Sequence, residues 1–238
     1  MNTEKLLKLQ QKYASLDASD LLRVMIESEF KNKIALISSF GADAALLLAL
    51  VAEIDTNTPI LFLETGKHFP ETLNYVQTLK TKLNLQNLHF LKPDPEMLNR
   101  TDPNGDLWQS NPDRCCWIRK IEPLDRAVKE LGITALITGR KRYQNSERTE
   151  LQTIELDDKN IFRINPLAGW DKDRFKEELN KRELPEHPLI KKGYLSIGCE
   201  PCTSPIKAGE DERAGRWKHT AKDGQQKTEC GLHVPLKN

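Results

Sequence analysis

The sequence predicts an α/β fold, a mostly parallel sheet flanked by helices, and three observations carry that expectation. Short apolar runs of strand length alternate with longer stretches of helical pattern. The residues with chemical potential fall just after those short runs, at the carboxyl ends of strands, where parallel sheets take their ligands. With 238 residues and 38% hydrophobic content the chain can bury a full core, most simply as one domain. We assign residues 1–220 to that domain and 221–238 to a mobile C-terminal tail, since a chain end packs poorly unless something ties it down.

Roughly the first 30 residues read as helices, with Asp17 or Ser19 as caps before the periodic Leu21, Leu22, Met25 and Ile26. IALIS, Ile34 to Ser38, is a buried strand, and Ala42 to Ile54 a strongly apolar helix. Pro59 to Glu64 makes a second strand; Thr65-Gly66 turns the chain, and Pro70-Glu71 opens a helix where proline and an acid suit its start. NLHFLKP is a third strand, followed by a Pro- and Asn-rich loop over residues 93–113. A cysteine pair then leads into a helix through IRKIEPLDRAVKELG, kinked or restarted at Pro123; TALITG is a fourth strand and IFRINPL has room for a fifth.

Lys+Arg 36 against Asp+Glu 35 leaves a net charge of +1. No global field therefore argues for nucleic acid or a membrane surface, and any anion binding must be local. The opening MNTEKLLKLQQKYASL is charged and helical with no apolar signal core, and no stretch reaches the length of a membrane span. The expectation is a soluble cytoplasmic protein with neither nucleic acid nor membrane as partner, and homo-oligomerisation is left open.

Four of five cysteines form two tight pairs, Cys115-Cys116 and Cys199-x-x-Cys202, while Cys230 stands alone near the C-terminus. That pattern reads as one metal site and one reactive thiol. Thiolates select iron–sulfur clusters or zinc over hard cations. Vicinal cysteines point apart on a helix, so they fit a cubane core, whose irons are spread out, better than one compact tetrahedral ion. Arg119 and Lys120, within about one helical turn of the pair, suit a negatively charged cluster. Zinc and unligated buried thiols are the competing readings.

Three segments could hold an anion. Ser38-Ser39-Phe40-Gly41-Ala42-Asp43 joins a strand to a helix, where a glycine lets backbone approach an anion and helix-start N–H groups donate to it. Gly139 to Arg148, GRKRYQNSER, sets four cations after a strand, and guanidinium groups bind oxyanions bidentately. Arg213 and Arg216, three apart, would share a helical face. Each has a bland alternative in a tight turn or solvated ion pairs.

SSFGAD, ETGKHFPET, RCCWIRKIEPL, TGRKRYQNSER, GCEPCT with EDERAGRW, and the terminal ECGLH together resemble the assimilatory adenylylsulfate (APS) reductase family, iron–sulfur type, from about Lys33 onward. The resemblance implies an adenine-nucleotide α-hydrolase-like fold related to the pyrophosphate-loop enzymes. Phe40 and Ala44 replace a glycine and a serine of the SGGxDS loop, which argues against ATP-pyrophosphatase chemistry. It implies that Cys115, Cys116, Cys199 and Cys202 ligate a [4Fe-4S] cluster linked electrostatically to the substrate by Lys120. Ser38, Ser39, Phe40, Gly41, Thr65, Gly66 and Gly139 would line the adenylylsulfate site, and Lys141, Arg142, Arg213 and Arg216 would hold the phosphosulfate. Cys230 would be the nucleophile, forming an enzyme S-sulfocysteine and AMP; reduced thioredoxin or glutaredoxin would then release sulfite, in sulfate assimilation toward cysteine biosynthesis. A 3′-phosphoadenylylsulfate (PAPS) or dual-specificity reductase is the nearest alternative, followed by a sulfur-transfer enzyme and a non-enzymatic iron–sulfur or zinc protein. The roles of His68 and His233 stay open.

Overall fold

The computed structural model describes residues 2–144, 148–207, 209–218 and 231–232. Of the expected tail only Gly231 and Leu232 are among them, so Cys230 and His233 lie outside the described residues. The chain opens with α1 (Asn2–Tyr13) and α2 (Ala18–Val24), whose last turn widens to π geometry over Met25–Glu29. Asp17 stands at the N-cap of α2 in extended backbone but makes no side-chain cap bond; its carboxylate meets Arg174 at 2.6 Å instead. β1 (Ile34–Ser38), α3 (Ala44–Ala52), β2 (Ile60–Leu63), α4 (Pro70–Lys82) and β3 (Leu88–Leu91) follow as the alternation predicts.

The expected loop over residues 93–113 carries two short helices, α5 (Pro95–Thr101) and α6 (Leu107–Ser110). The signal for the first was in the sequence: Asp94 accepts the Met97 N–H at 2.8 Å and Pro95 takes the first turn. α7 (Pro112–Cys116) starts likewise, with Asn111 accepting the Arg114 N–H at 2.9 Å. A π turn, Trp117–Ile121, joins it to α8 (Glu122–Glu130), which restarts at Pro123. Then come β4 (Ala135–Ile137), β5 (Ile154–Leu156), β6 (Phe162–Ile164) and α9 (Lys172–Lys181). β5 and α9 were not expected. β5 is three residues long, and α9 buries only Phe175, so neither carries an apolar period to read.

The six strands lie in the order β3-β2-β1-β4-β6-β5, all parallel except the β5–β6 pair. Side chains alternate across the sheet. Ile34 and Leu36 of β1 join Phe62, Ile137 and Ile164 under α2, α3 and α4, while Ala35, Leu61 and Leu136 face Leu124 of α8 on the other side. α3 is apolar all round, Ala45 through Val51 being buried, because it sits between the sheet and both α2 and α9. β1 has β2 on one side and β4 on the other, so the chain leaves it in opposite directions. That switch point opens a crevice beyond the carboxyl ends of β1 and β4.

Candidate active site

A cavity of about 210 Å³ occupies that crevice. Its floor is the end of β1 and the turn after it: Ser38, Ser39, Gly41, Ala42 and Asp43. The Ser38 hydroxyl accepts the Phe40 N–H at 3.1 Å and folds this turn back on itself. Phe40 is held in the left-handed region, φ 48°, unusual for a bulky residue. Its fully buried ring compensates, standing edge-on to Phe62 with centroids 5.3 Å apart. Phe40 thus anchors the turn from below and is not among the lining residues. A side chain at Gly41 would come 3.0 Å from the Ile197 carbonyl oxygen, so glycine lets the turn close tightly against the segment 195–198, which would have to give by a few tenths of an ångström for anything larger.

Cations ring the opening. Arg140 and Arg148 come from the run after β4, Arg213 and Arg216 from the segment opposite, and Lys120 from the π turn. Arg216 lies flat on Gly198: a Cβ there would sit 2.3 Å from its guanidinium nitrogen, so the glycine preceding Cys199 exists to seat this arginine. Its other face covers the Trp217 ring at 4.4 Å. Glu212 also lines the rim, paired with Lys172 at 2.7 Å.

The second pocket lies behind Lys120 and Trp217, which line both, and is closed by all four paired cysteines with Trp108, Arg119 and Lys67. Cys115 and Cys116 end α7 with both side chains buried, and the wide π turn after them turns Arg119 and Lys120 inward rather than to solvent. Arg119 donates to the Thr65 carbonyl at 2.7 Å and to Asp102 at 2.5 Å, a buried pair that fastens the segment carrying Trp108. Burial pushes the Asp102 carboxyl up, but the Arg119 guanidinium, the Leu107 N–H and the Lys67 charge together outweigh it and hold it below the usual range. Cys199 is delivered by a backbone bridge to His68. The Thr65 hydroxyl accepts the Lys67 N–H at 3.2 Å and shares a hydrogen bond with the Cys199 sulfur at 3.4 Å.

These thiols differ in acidity. Burial and neighbouring thiols push Cys115 up to about 11 and Cys202 up to about 12. At Cys199 burial acts the same way, but Lys120, the Thr65 hydroxyl, Arg216 and Arg119 together bring it below the ordinary value. Four buried sulfurs that repel one another as thiolates, walled by lysine and arginine, suit a cationic metal core whose positive irons compensate that repulsion. Among the described residues no group of three or more His, Cys, Asp or Glu is arranged around a single metal ion.

Of the residues expected to bind substrate, Ser38, Ser39, Gly41, Gly139, Lys120, Arg213 and Arg216 line the cavity. Thr65 belongs to the cysteine pocket through its sulfur contact, and Gly66, at φ 70°, turns beside Arg119. Lys141 is fully buried, its ammonium 2.8 Å from Asp43 and 4.5 Å above the Phe175 ring, and exposed Arg142 donates to the Leu151 carbonyl at 2.9 Å. Neither reaches the cavity; from the same run, Arg140, Gln144 and Arg148 do. The sequence marked the run but not the direction of each side chain, which an irregular loop does not encode by period. His68, left open, also lines the cavity, donating Nε2–H to the Leu63 carbonyl at 2.8 Å; burial holds its pKa below the ordinary value, aided by Lys120 and Arg216.

Residues 33–205 match the phosphoadenosine phosphosulfate reductase domain. Over 222 residues the chain is 46% identical to the adenosine 5′-phosphosulfate reductase of Mesorhizobium japonicum, covering 93% of this chain and 84% of that protein. Among solved structures, the phosphoadenylyl-sulfate reductase of Candida auris in its phosphate complex superposes with a TM-score of 0.71 at 28% identity, over 85% of this chain and 97% of that one. The FMN adenylyltransferase of Candida glabrata with FMN and an ATP analogue, at 16% identity and TM-score 0.57 over 88% of this chain and 78% of that one, shares the fold alone. The superpositions bear out the expected class, a mostly parallel α/β sheet flanked by helices.

Proposed function

Because the chain belongs to the phosphoadenosine phosphosulfate reductase family, we propose that this oxidoreductase converts adenylylsulfate to sulfite and AMP with electrons from a thioredoxin-type dithiol, in cytoplasmic sulfate assimilation. One observation carries the reading: a cation-ringed cavity at the switch point and a pocket of four buried cysteines share a wall made of Lys120 and Trp217. The 46% identical adenosine 5′-phosphosulfate reductase supports the unphosphorylated substrate.

In this reading Arg140, Arg148, Arg213 and Arg216 take the phosphosulfate oxygens, removing the repulsion a thiolate would meet at sulfur(VI) and stabilising AMP as it leaves. The turn from Ser38 to Gly41 carries the nucleotide. The Cys230 thiolate forms a bond to the substrate sulfur while the S–O bond to AMP breaks, AMP taking the electron pair; the product is S-sulfocysteine. A donor thiolate then attacks the Cys230 sulfur, sulfite leaves with the bonding pair, and the donor's second thiol closes its own disulfide. Leu232, two residues beyond Cys230 in sequence, lines the cavity, which supports delivery of that cysteine to it. Cys115, Cys116, Cys199 and Cys202 would hold a [4Fe-4S] cluster, which would supply charge beside the substrate site; Lys120 lines both pockets.

Mixing the anaerobically purified protein with adenylylsulfate and no thiol tests the reading. One AMP per site and an SO₃ adduct on the Cys230 peptide are expected, with sulfite released on adding reduced thioredoxin. Cys230→Ser should lose turnover and keep its iron and its nucleotide affinity. AMP and sulfite appearing only with donor, and no adduct on Cys230, would refute the covalent step. The likeness to the Candida auris enzyme favours, as second reading, the same chemistry on the 3′-phosphorylated nucleotide; comparing kcat/KM for the two nucleotides decides between them.

A further inference from the structure

We infer that Gln144 and Asp43 are positioning residues that aim the Arg148 guanidinium into the nucleotide cavity, an inference that rests on the adenylylsulfate site proposed above. Three hydrogen bonds converge on the Gln144 amide. Its Oε1 accepts the backbone N–H of Lys141 at 3.1 Å and also an N–H of the Arg148 guanidinium. Its Nε2 donates to Oδ2 of Asp43 at 3.2 Å. The orientation of the amide is thereby fixed, because the reversed group would set its NH₂ against two donors and its oxygen against a carboxylate.

Asp43 is itself anchored. The same Oδ2 takes the Lys141 ammonium at 2.8 Å, and the Lys141 side chain is fully buried over the Phe175 ring. A buried ammonium cannot give up its carboxylate without leaving a charge unpaired in the interior, so this end of the relay is stiff. It also settles why a carboxylate can line a cavity meant for an anion: Lys141 neutralises Asp43 from behind. The relay runs from a core lysine through Asp43 and Gln144 to Arg148, and its last three members line the cavity. An arginine held in advance spends less rotamer entropy on binding than a free one. Lys141, expected in the clamp, instead supports the residue that does reach it.

A double-mutant cycle on Gln144→Ala and Arg148→Ala tests this, read as the equilibrium dissociation constant for adenylylsulfate in the iron-loaded protein, with iron content and thermal midpoint measured alongside. Gln144→Ala should weaken binding about tenfold, the worth of one well-placed hydrogen bond. In the Arg148→Ala background the same change should do almost nothing, because the group it positions is gone. Asp43→Ala separates positioning from bulk charge. Removing a negative charge beside an anion should tighten binding if charge alone matters; the relay predicts weaker binding. Additive effects in the cycle, an unchanged constant for Gln144→Ala, or tighter binding by Asp43→Ala would each overturn the inference while leaving the proposed reaction intact. If the unaltered protein does not bind adenylylsulfate, both fall together.

Discussion

The nucleotide cavity and the cysteine pocket lie back to back, yet they are built by opposite means. The cavity is made from loops at the ends of β1 and β4, with room for about 210 Å³ and with cations brought to it from separate segments of the chain. The cysteine pocket is made from helix turns and packed rings: Trp108 and the fully buried Trp217 lie against Cys199 and Cys202. One region works by charge gathered from several independently anchored side chains; the other depends on four sulfurs staying in register. Sites of the first kind lose affinity by degrees when a residue is removed, and sites of the second kind fail together.

The largest effect should therefore follow from the smallest chemical change. Cys202→Ser replaces one sulfur by oxygen in the closed pocket. Iron content should fall to a trace, turnover should vanish, and the thermal midpoint should drop, because ligation is folding free energy. Adenylylsulfate affinity should stay within a few-fold, since Ser38 to Gly41, Arg140 and Arg148 come from other segments. Affinity falling in step with iron would mean that the shared wall of Lys120 and Trp217 makes the two regions one.

A pair of cation removals sharpens the contrast between a residue that faces the cavity and one that stands behind it. Arg216→Ala should raise KM by an amount worth about 1.5–3 kcal/mol, that of charge-assisted hydrogen bonds, at unchanged iron content. Lys141→Ala should act first on stability. It strips a buried ion pair of one partner, a loss toward the lower end of about 3–5 kcal/mol, because the Asp43 side chain is 36% exposed and water can solvate it. Thermal unfolding and steady-state kinetics on both variants check this. A Lys141→Ala protein as stable as the parent, with only KM changed, would return Lys141 to the clamp.

What was legible in the sequence divides along the same line. The cysteine pattern, the strand–helix alternation and the turn after β1 were readable because each is written in local sequence: Cys-x-x-Cys, short apolar runs between longer helical patterns, a glycine at a strand's end. The place of Arg119 and Lys120 beside the cysteines was legible too, but the backbone geometry that turns them inward was not. It depends on a π turn that inserts one residue into a helical ladder. Nor could GRKRYQNSER reveal that Arg140 and Arg148 face the cavity while Lys141 faces Asp43. The distant carboxylate that decides this is 98 residues away. The Arg119–Asp102 pair, which fastens the α5–α6 segment over the cysteines, likewise had no signal in a stretch read as loop.

The smallest expected effect concerns the third wall, the segment 195–198, and its support by His187. This histidine is fully buried. Its Nδ1 accepts the Leu189 N–H at 3.2 Å, so Nε2 carries the proton and donates to the Thr72 hydroxyl at 3.0 Å. A second proton would have to sit on Nδ1, against the Leu189 N–H, so the folded protein needs the neutral ring. Burial accordingly lowers the pKa to about 4 from 6.5, with Glu71 opposing it weakly. The unfolded chain binds a proton at His187 below about 6.5 and the folded chain only near 4, so the unfolded state gains as pH falls through that window. Stability from this group is present above pH 6.5 and lost progressively between 6.5 and 4. His187→Gln removes the titration, and the pH dependence of its thermal midpoint across that window should be shallower than the parent's. Because Leu189 packs with Phe69 and Ile197, the lower wall of the cavity should loosen on acidification before the cysteine pocket does. An identical pH slope in the two proteins would remove His187 from this account and leave the carboxylates to explain any acid sensitivity.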